Sequence, residues 1–415
     1  MRLFAELVTL AVLLTLATTG ASAEGDGILV SFAGTDGAAP DGPLIADASG
    51  NLYGTAESGG GSIGCNHHGC GTVFRLAPDG TLTTLHAFAG LRKHDGAIPT
   101  GRLTVDESGT LYGTTINGGD RNKHCGLENF RPRGCGTVFK INPGGSEAIL
   151  YAFSGGDGAL PESGVVMHKG NFYGTTYLGG NNFCGYGCGT IFQLAANGNQ
   201  KVLYAFTGGS DGAYPQSGLT VDKAGNLYGE ASNGGGTGCS GYGCGTVYRL
   251  ATDGTLTVLY AFSGGTDGAA PSGVLIRDNA GNLYGTTLSG GSGWGVVFRL
   301  GSDGTETTLY TFKGGSDGAA PTGGLMQDKV GNLFGTTEIG GTDTGCLFDR
   351  GCGTVFELSP DGTKTQLHVF DGGTTDGGMP YVGLYDLAGY LYGTTYEGGN
   401  GSCSGGCGTV FKLKR

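Results

Sequence analysis

Short runs of alternating apolar and polar residues, separated by glycine-rich turns, fill the chain from Ile28 to its end. The stretch "SGLTVDKAGNLYGEASNGGGTGCSGYGCGTVYRLATDGTLTVLYAF", Ser217 to Phe262, carries the pattern clearly. Alternation with period two predicts half-buried strands, because successive side chains leave opposite faces of an extended backbone. Four strands follow: "GLTVD", "NLYGE", "GTVYRL" and "TLTVLYAF". Lys-Ala-Gly and Asp-Gly turns join the first to the second and the third to the fourth, while a long glycine loop joins the second to the third. No 15-residue window after the N-terminus keeps a helical apolar period.

The unit repeats. The aromatic of "NLYGT" recurs at Tyr53, Tyr112, Tyr173, Tyr228, Tyr284, Phe334 and Tyr392, and that of "GTVF" at Phe74, Phe139, Phe192, Tyr248, Phe298, Phe356 and Phe411. A "DGAxP"-like segment starts at Asp36, Asp95, Asp157, Asp211, Asp267, Asp317 and Asp376. Each series counts seven. Four antiparallel strands repeated in this way predict an all-β fold, a seven-bladed β-propeller of four-stranded blades. The ends support a closed ring. The chain stops at "GTVFKLKR", a third strand, whereas "GDGILVSFAG" near the start reads as a fourth strand. The segment from about Ile28 to Phe32 is therefore expected to complete the last blade and cover its edge.

Composition adds compartment. Glycine supplies 91 of 415 residues without a G-X-Y period, which excludes collagen. The formal charge of −12 argues against nucleic acid or an anionic membrane as partner. The start, "MRLFAELVTLAVLLTLATTGASAEG", has Arg2, a short apolar run and "ASA" at Ala21–Ala23, the pattern of a cleaved secretory signal. Residues 1–23 are read as signal peptide and 24–415 as a single propeller domain, secreted or periplasmic, with no membrane association after cleavage and a monomer expected.

The words "CGTVFRLAPDGTLTTLHAF" and "GNLYGTT" resemble the Gloeo/Verruco (GloVer) tandem repeat of exported bacterial proteins, and the resemblance covers essentially all of the mature chain. It implies export and a propeller-like fold, and no established activity. Many members carry a C-terminal anchor; here nothing follows Arg415, which favours a released or periplasmic form. The strand order is more distantly similar to NHL-type propeller repeats, which mostly bind partners.

Twelve cysteines fall into six close pairs: Cys65/Cys70, Cys125/Cys135, Cys184/Cys188, Cys239/Cys244, Cys346/Cys352 and Cys403/Cys407. All lie in loops between second and third strands, and the fifth unit lacks both members of its pair. An even count, joint loss and an exported chain point to disulfides. Zinc would need recurring ligand spacing, and the intervening stretches run from three to nine residues. The expected role of the bridges is to pin glycine-rich loops that have little core of their own. Closing loops this short contributes about 2 kcal/mol each in the chain-entropy model. In the fifth unit the second cysteine is replaced by Trp294, the only tryptophan. The favoured expectation is an apolar plug over a shortened hairpin; the alternative is an exposed aromatic platform for a sugar ring.

Candidate chemistry is sought where the units differ. The first two carry His67 and His68, then Arg92, Lys93 and His94, then Arg121, Lys123, His124, Glu128, Arg131 and Arg133, all on the loop face. A basic, histidine-rich patch suits an anionic group on a polysaccharide or protein partner. The bland alternative is a solvated loop. The "DGAxP" aspartates read as turn residues more readily than as a cation-binding ring, and His86, His168 and His368 as incidental. No GxSxG or HExxH motif is present. The expected function is a binding module without cofactor or metal. A histidine- or metal-dependent lyase or hydrolase is the second reading, and a structural envelope or matrix protein the third.

Overall fold

The computed structural model describes residues 26–62, 65, 68–90, 95–120, 125, 134–181, 183–341, 346 and 350–415. The expected signal peptide lies outside them. Seven four-stranded antiparallel sheets form the blades of a β-propeller. The fourth blade runs Thr220–Val221, Leu227–Ala231, Thr246–Leu250 and Leu256–Ala261, as the alternation predicted. The seventh is built from Tyr385–Leu387, Tyr390–Thr395 and Thr409–Lys414, and its outer strand is the N-terminal Gly27–Ser31, with Ser31 opposite Thr409. No helix among the described residues is long and apolar enough to cross a membrane.

Neighbouring blades are joined by an aromatic ladder. The phenylalanine that ends each outer strand meets the third-strand aromatic of the next blade. Phe88 and Phe139 have centroids 5.1 Å apart, Phe262 and Phe298 5.2 Å, and Phe370 and Phe411 5.1 Å, all edge to face. Such pairs contribute about 0.5–1.5 kcal/mol beyond the area they bury. The glycine of "LYGT" makes room for them: a Cβ on Gly54 would stand 2.5 Å from the Phe74 ring.

The outer strands share a bulge at one place. In the first blade Phe74 faces Thr84 and Val73 faces His86, so Leu85 is the extra residue. Paired residues share a face of the sheet, so the bulge turns His86 to the side opposite Thr84, against simple alternation. Tyr151, Tyr204, Tyr260, Tyr310 and His368 occupy the same register position. All six rings therefore point at the link that leaves their blade.

Candidate functional site in the axial channel

The links place the site. In each, the residue before proline adopts a left-handed backbone: Ala39, Ile98, Leu160, Tyr214, Ala270, Ala320 and Met379 have φ between 53° and 61°. This conformation costs a side-chain-bearing residue about 1–2 kcal/mol. It is held by a hydrogen bond from that residue's N–H to the carbonyl of the second loop cysteine in the preceding blade. Ala39 donates to Cys407, Ile98 to Cys70, Leu160 to Cys135, Tyr214 to Cys188 and Ala270 to Cys244, each at 2.9 Å, and Met379 to Cys352 at 2.7 Å. The kink brings the residue just after the proline to the propeller axis.

Those residues are Asp41, Thr100, Glu162, Gln216, Ser272, Thr322 and Tyr381, and all seven line one axial cavity of about 280 Å³. A second cavity of about 400 Å³ shares Arg102, Ser163, Gly218 and Val274 with the first and extends toward Tyr385. Two pairs cross blade junctions beside the channel: the Tyr396 hydroxyl donates to Glu57 and the Tyr381 hydroxyl to Glu338. The Tyr381 and Tyr396 rings meet edge to face at 5.2 Å.

The carboxyls face a narrow channel hemmed in by protein, so desolvation governs them. Burial, then the nearby charges of Glu57, Glu162 and Glu338, push Asp41 up to about 8. Burial lifts Glu162 to about 7. Glu57 and Glu338 are raised for the same reason, each partly offset by its tyrosine. Near neutrality this wall therefore contains both protonated and ionised carboxyls, able to donate and accept hydrogen bonds. The Arg102 guanidinium projects into the same channel, its pKa lowered by burial.

The six disulfides form as paired in the sequence, with Cα–Cα distances of 5.0–5.3 Å. Besides pinning the loops, they also reach into the core. The second cysteine of each pair, Cys70, Cys135, Cys188, Cys244, Cys352 and Cys407, is at most 1% exposed. Each stands just before its blade's third strand and so enters the apolar packing between blades. Cys135 packs in one cluster with Phe153 and Phe192, Cys244 with Phe262 and Phe298, and Cys407 with Phe32 and Phe74. These six are thus buried structural residues that reach the channel only through their carbonyls.

Trp294 takes over this work in the fifth blade. Its carbonyl accepts from Ala320 N–H at 3.0 Å, as the cysteine carbonyls do for the other links. Its indole lies over Gly314, where a Cβ would be 2.7 Å away, and the disulfide sulfurs lie over the matching Gly90 and Gly264. The indole is 42% exposed. It is thus a cover with one open face, and not the buried plug expected from the sequence.

Of the basic and histidine-rich residues singled out in the sequence, His68 is described. It lines a groove of about 520 Å³ between the first and seventh blades, with Tyr396 and Ser402. His67, Arg92, Lys93, His94, Arg121, Lys123, His124, Glu128, Arg131 and Arg133 lie outside the described residues. The "DGAxP" aspartates act in turns at the blade junctions: Asp36 accepts from Ala33 N–H at 2.8 Å, Asp211 from Thr207 N–H at 2.8 Å and Asp267 from Ser263 N–H at 2.7 Å. His86 and His368 are not incidental. Their Nε2 atoms lie 3.2 and 3.1 Å from Asp95 and Asp376, where other blades place a tyrosine hydroxyl on the aspartate. His168 has no such partner; its Nε2 is buried without one among the described residues.

Sequence reading passes over the channel residues, although a signal exists. Aligning the units on proline shows one following position that changes identity almost every time yet always carries a hydrogen-bonding group.

Fold and site together define a disulfide-braced β-propeller with a polar axial channel. The chain belongs to the Gloeobacter/Verrucomicrobia repeat family, whose model matches residues 13–185, 125–241 and 236–415. No curated protein matches the sequence. Among solved structures it is similar to the extracellular domain of BT4673 from B. thetaiotaomicron, with a TM-score of 0.57 and 8% identity over 94% of this chain and 40% of that one. Puromycin hydrolase gives a TM-score of 0.52 and 12% identity over 89% of this chain and 52% of that one. A gluconolactonase from Xanthomonas campestris gives 0.43 and 16% identity over 92% and 89% of the two chains. At such identities the likeness concerns the fold alone.

Proposed function

We propose that this protein is an exported binding propeller that holds a neutral or basic saccharide in its axial channel. The observation that carries the reading is the position after the link proline. The link prolines and the strands that flank them repeat, while this position presents Asp41, Thr100, Glu162, Gln216, Ser272, Thr322 and Tyr381 to one cavity. Structural needs repeat with the blades; an asymmetric ligand does not. Carboxyls and hydroxyls pair with sugar hydroxyls, and the tyrosines supply apolar surface for a pyranose ring. The six disulfides fit an oxidising compartment.

The test is a glycan array followed by calorimetry on the hits, with wild type and the Asp41→Asn/Glu162→Gln double variant. Saturable binding that weakens at least tenfold in the variant supports the reading. Equal binding by both proteins removes it. Carboxyls with pKa values near neutrality also suit general acid–base work. Turnover of a bound glycan that disappears in Glu162→Gln would make the channel an active site.

A further inference from the structure

We propose that His86, Asp95 and Glu147 bind one divalent metal ion, Zn²⁺ by the character of the ligand set, at the junction of the first and second blades. One ligand atom from each lies within 4.8 Å of the other two. His86 Nε2 and Asp95 Oδ2 are 3.2 Å apart. Ligand atoms around a tetrahedral zinc are about 3.3–3.5 Å apart, given Zn–N and Zn–O distances near 2.0–2.2 Å. One imidazole and two carboxylates suit zinc better than calcium or magnesium, which prefer oxygen throughout.

Comparison among the blades gives an independent argument. The same three positions recur from junction to junction: a ring from the outgoing strand, the link aspartate, and the first residue of the next outer strand. At the junction of the fifth and sixth blades the third residue is Lys364, whose ammonium lies 2.7 Å from the Asp317 carbonyl and 3.0 Å from its carboxylate. A cation is thus built into the fold at that place. Glu147 occupies the lysine's register position, opposite Ile141 as Lys364 is opposite Leu358. Here the built-in cation is exchanged for a carboxylate, and the usual tyrosine for His86.

The exchange leaves a deficit. Glu147 Oε1 is buried without a hydrogen-bond partner among the described residues. Elsewhere the position is satisfied or apolar: Gln200 donates to the Asp157 carbonyl, Leu256 is aliphatic, and Glu306 accepts from Thr308. The His368–Asp376 pair repeats the ring and link residue, yet no third ligand joins it among the described residues. A divalent ion would neutralise Glu147 and Asp95 together and use the exposed side of His86 for entry.

The experiment is calorimetric titration of the full mature chain, stripped with EDTA, with ZnCl₂. Two variants copy solutions found at other blades and so preserve the fold: Glu147→Lys reproduces the Asp317–Lys364 pair and His86→Tyr restores the common ring. His368→Tyr is the control. The expected result is one Zn²⁺ site per chain that weakens at least tenfold in either variant and is unchanged in the control, with a zinc-dependent rise in Tm that the variants lose. Absence of a stoichiometric site in wild type, or a site that survives both variants in folded protein, would overturn the proposal.

Discussion

Phe32 and Phe74 meet edge to face with centroids 5.0 Å apart, across the join where the N-terminal strand hands over to the first blade. Both rings are fully buried. The contact is one rung of the interblade ladder, but Phe32 also anchors the strand that closes the ring. Phe32→Ala is expected to cost about 3–5 kcal/mol, the range for emptying a buried phenylalanine site. Chemical denaturation checks the loss, and Val330→Ala, at an exposed turn residue, serves as the neutral control.

The pH dependence of stability has a defined sign. Asp41 at about 8 and Glu162 at about 7 bind protons more tightly folded than unfolded. Between roughly pH 4 and 8 the native state therefore holds the extra protons, and stability falls as pH rises. A tenfold difference in proton affinity corresponds to about 1.4 kcal/mol before screening by channel water, so a fall on the order of 2 kcal/mol is expected. Asp41→Asn/Glu162→Gln should flatten this slope in denaturation curves at pH 5 and pH 8. An unchanged slope would show that these carboxyls titrate normally.

Reduction should act on the channel at a distance. The second cysteine of each braced loop holds the kink that aims a channel residue. Dithiothreitol is expected to weaken the channel ligand several-fold before the blades unfold, as read by calorimetry beside far-ultraviolet circular dichroism. Retention of full affinity by the reduced, folded protein would separate the loops from the site.

Trp294 offers a local probe. With one face on Gly314 and 42% of its surface exposed, the single indole should emit at long wavelength and be quenched readily by acrylamide. Trp294→Ala should cost about 1–2 kcal/mol through lost packing and leave saccharide affinity unchanged. Blue-shifted, unquenched emission would contradict the exposed face.

Changing Arg92, Lys93 and Arg121 together to alanine is expected to spare a neutral ligand in the channel and to weaken an anionic glycan held by the basic loops. Paired titrations with one ligand of each kind separate the two surfaces.

The fold was legible because repetition multiplies a weak signal. One "NLYGT" is an ambiguous strand, whereas seven in register with "GTVF" and "DGAxP" describe a ring. The disulfide pairing was legible for the same reason, but not the burial of Cys135, Cys244 and Cys407, which depends on how neighbouring blades pack. The channel was not legible either, since Asp41, Glu162 and Tyr381 lie far apart in sequence and meet only through the kink before proline. Nor was the partnership of His86: simple alternation puts it on the face of Thr84, and the bulge at Leu85 resets which residues share that face. Charge-rich loops draw attention to the first two blades, but most of their named residues fall outside the described structure.

Closure by the N-terminal strand also sets a schedule. During synthesis Gly27–Ser31 emerges before every other described strand, yet its partner Thr409–Lys414 follows all of them. Each disulfide spans only 4 to 10 positions and can form as its blade appears. The ring thus combines local contacts, which form quickly, with one pairing of very high contact order. Until that partner arrives, Gly27–Ser31 is unpaired and the seventh blade lacks its closing strands, and chaperones or sister chains can compete for these edges. The oldest strand of the ring is the last to be paired.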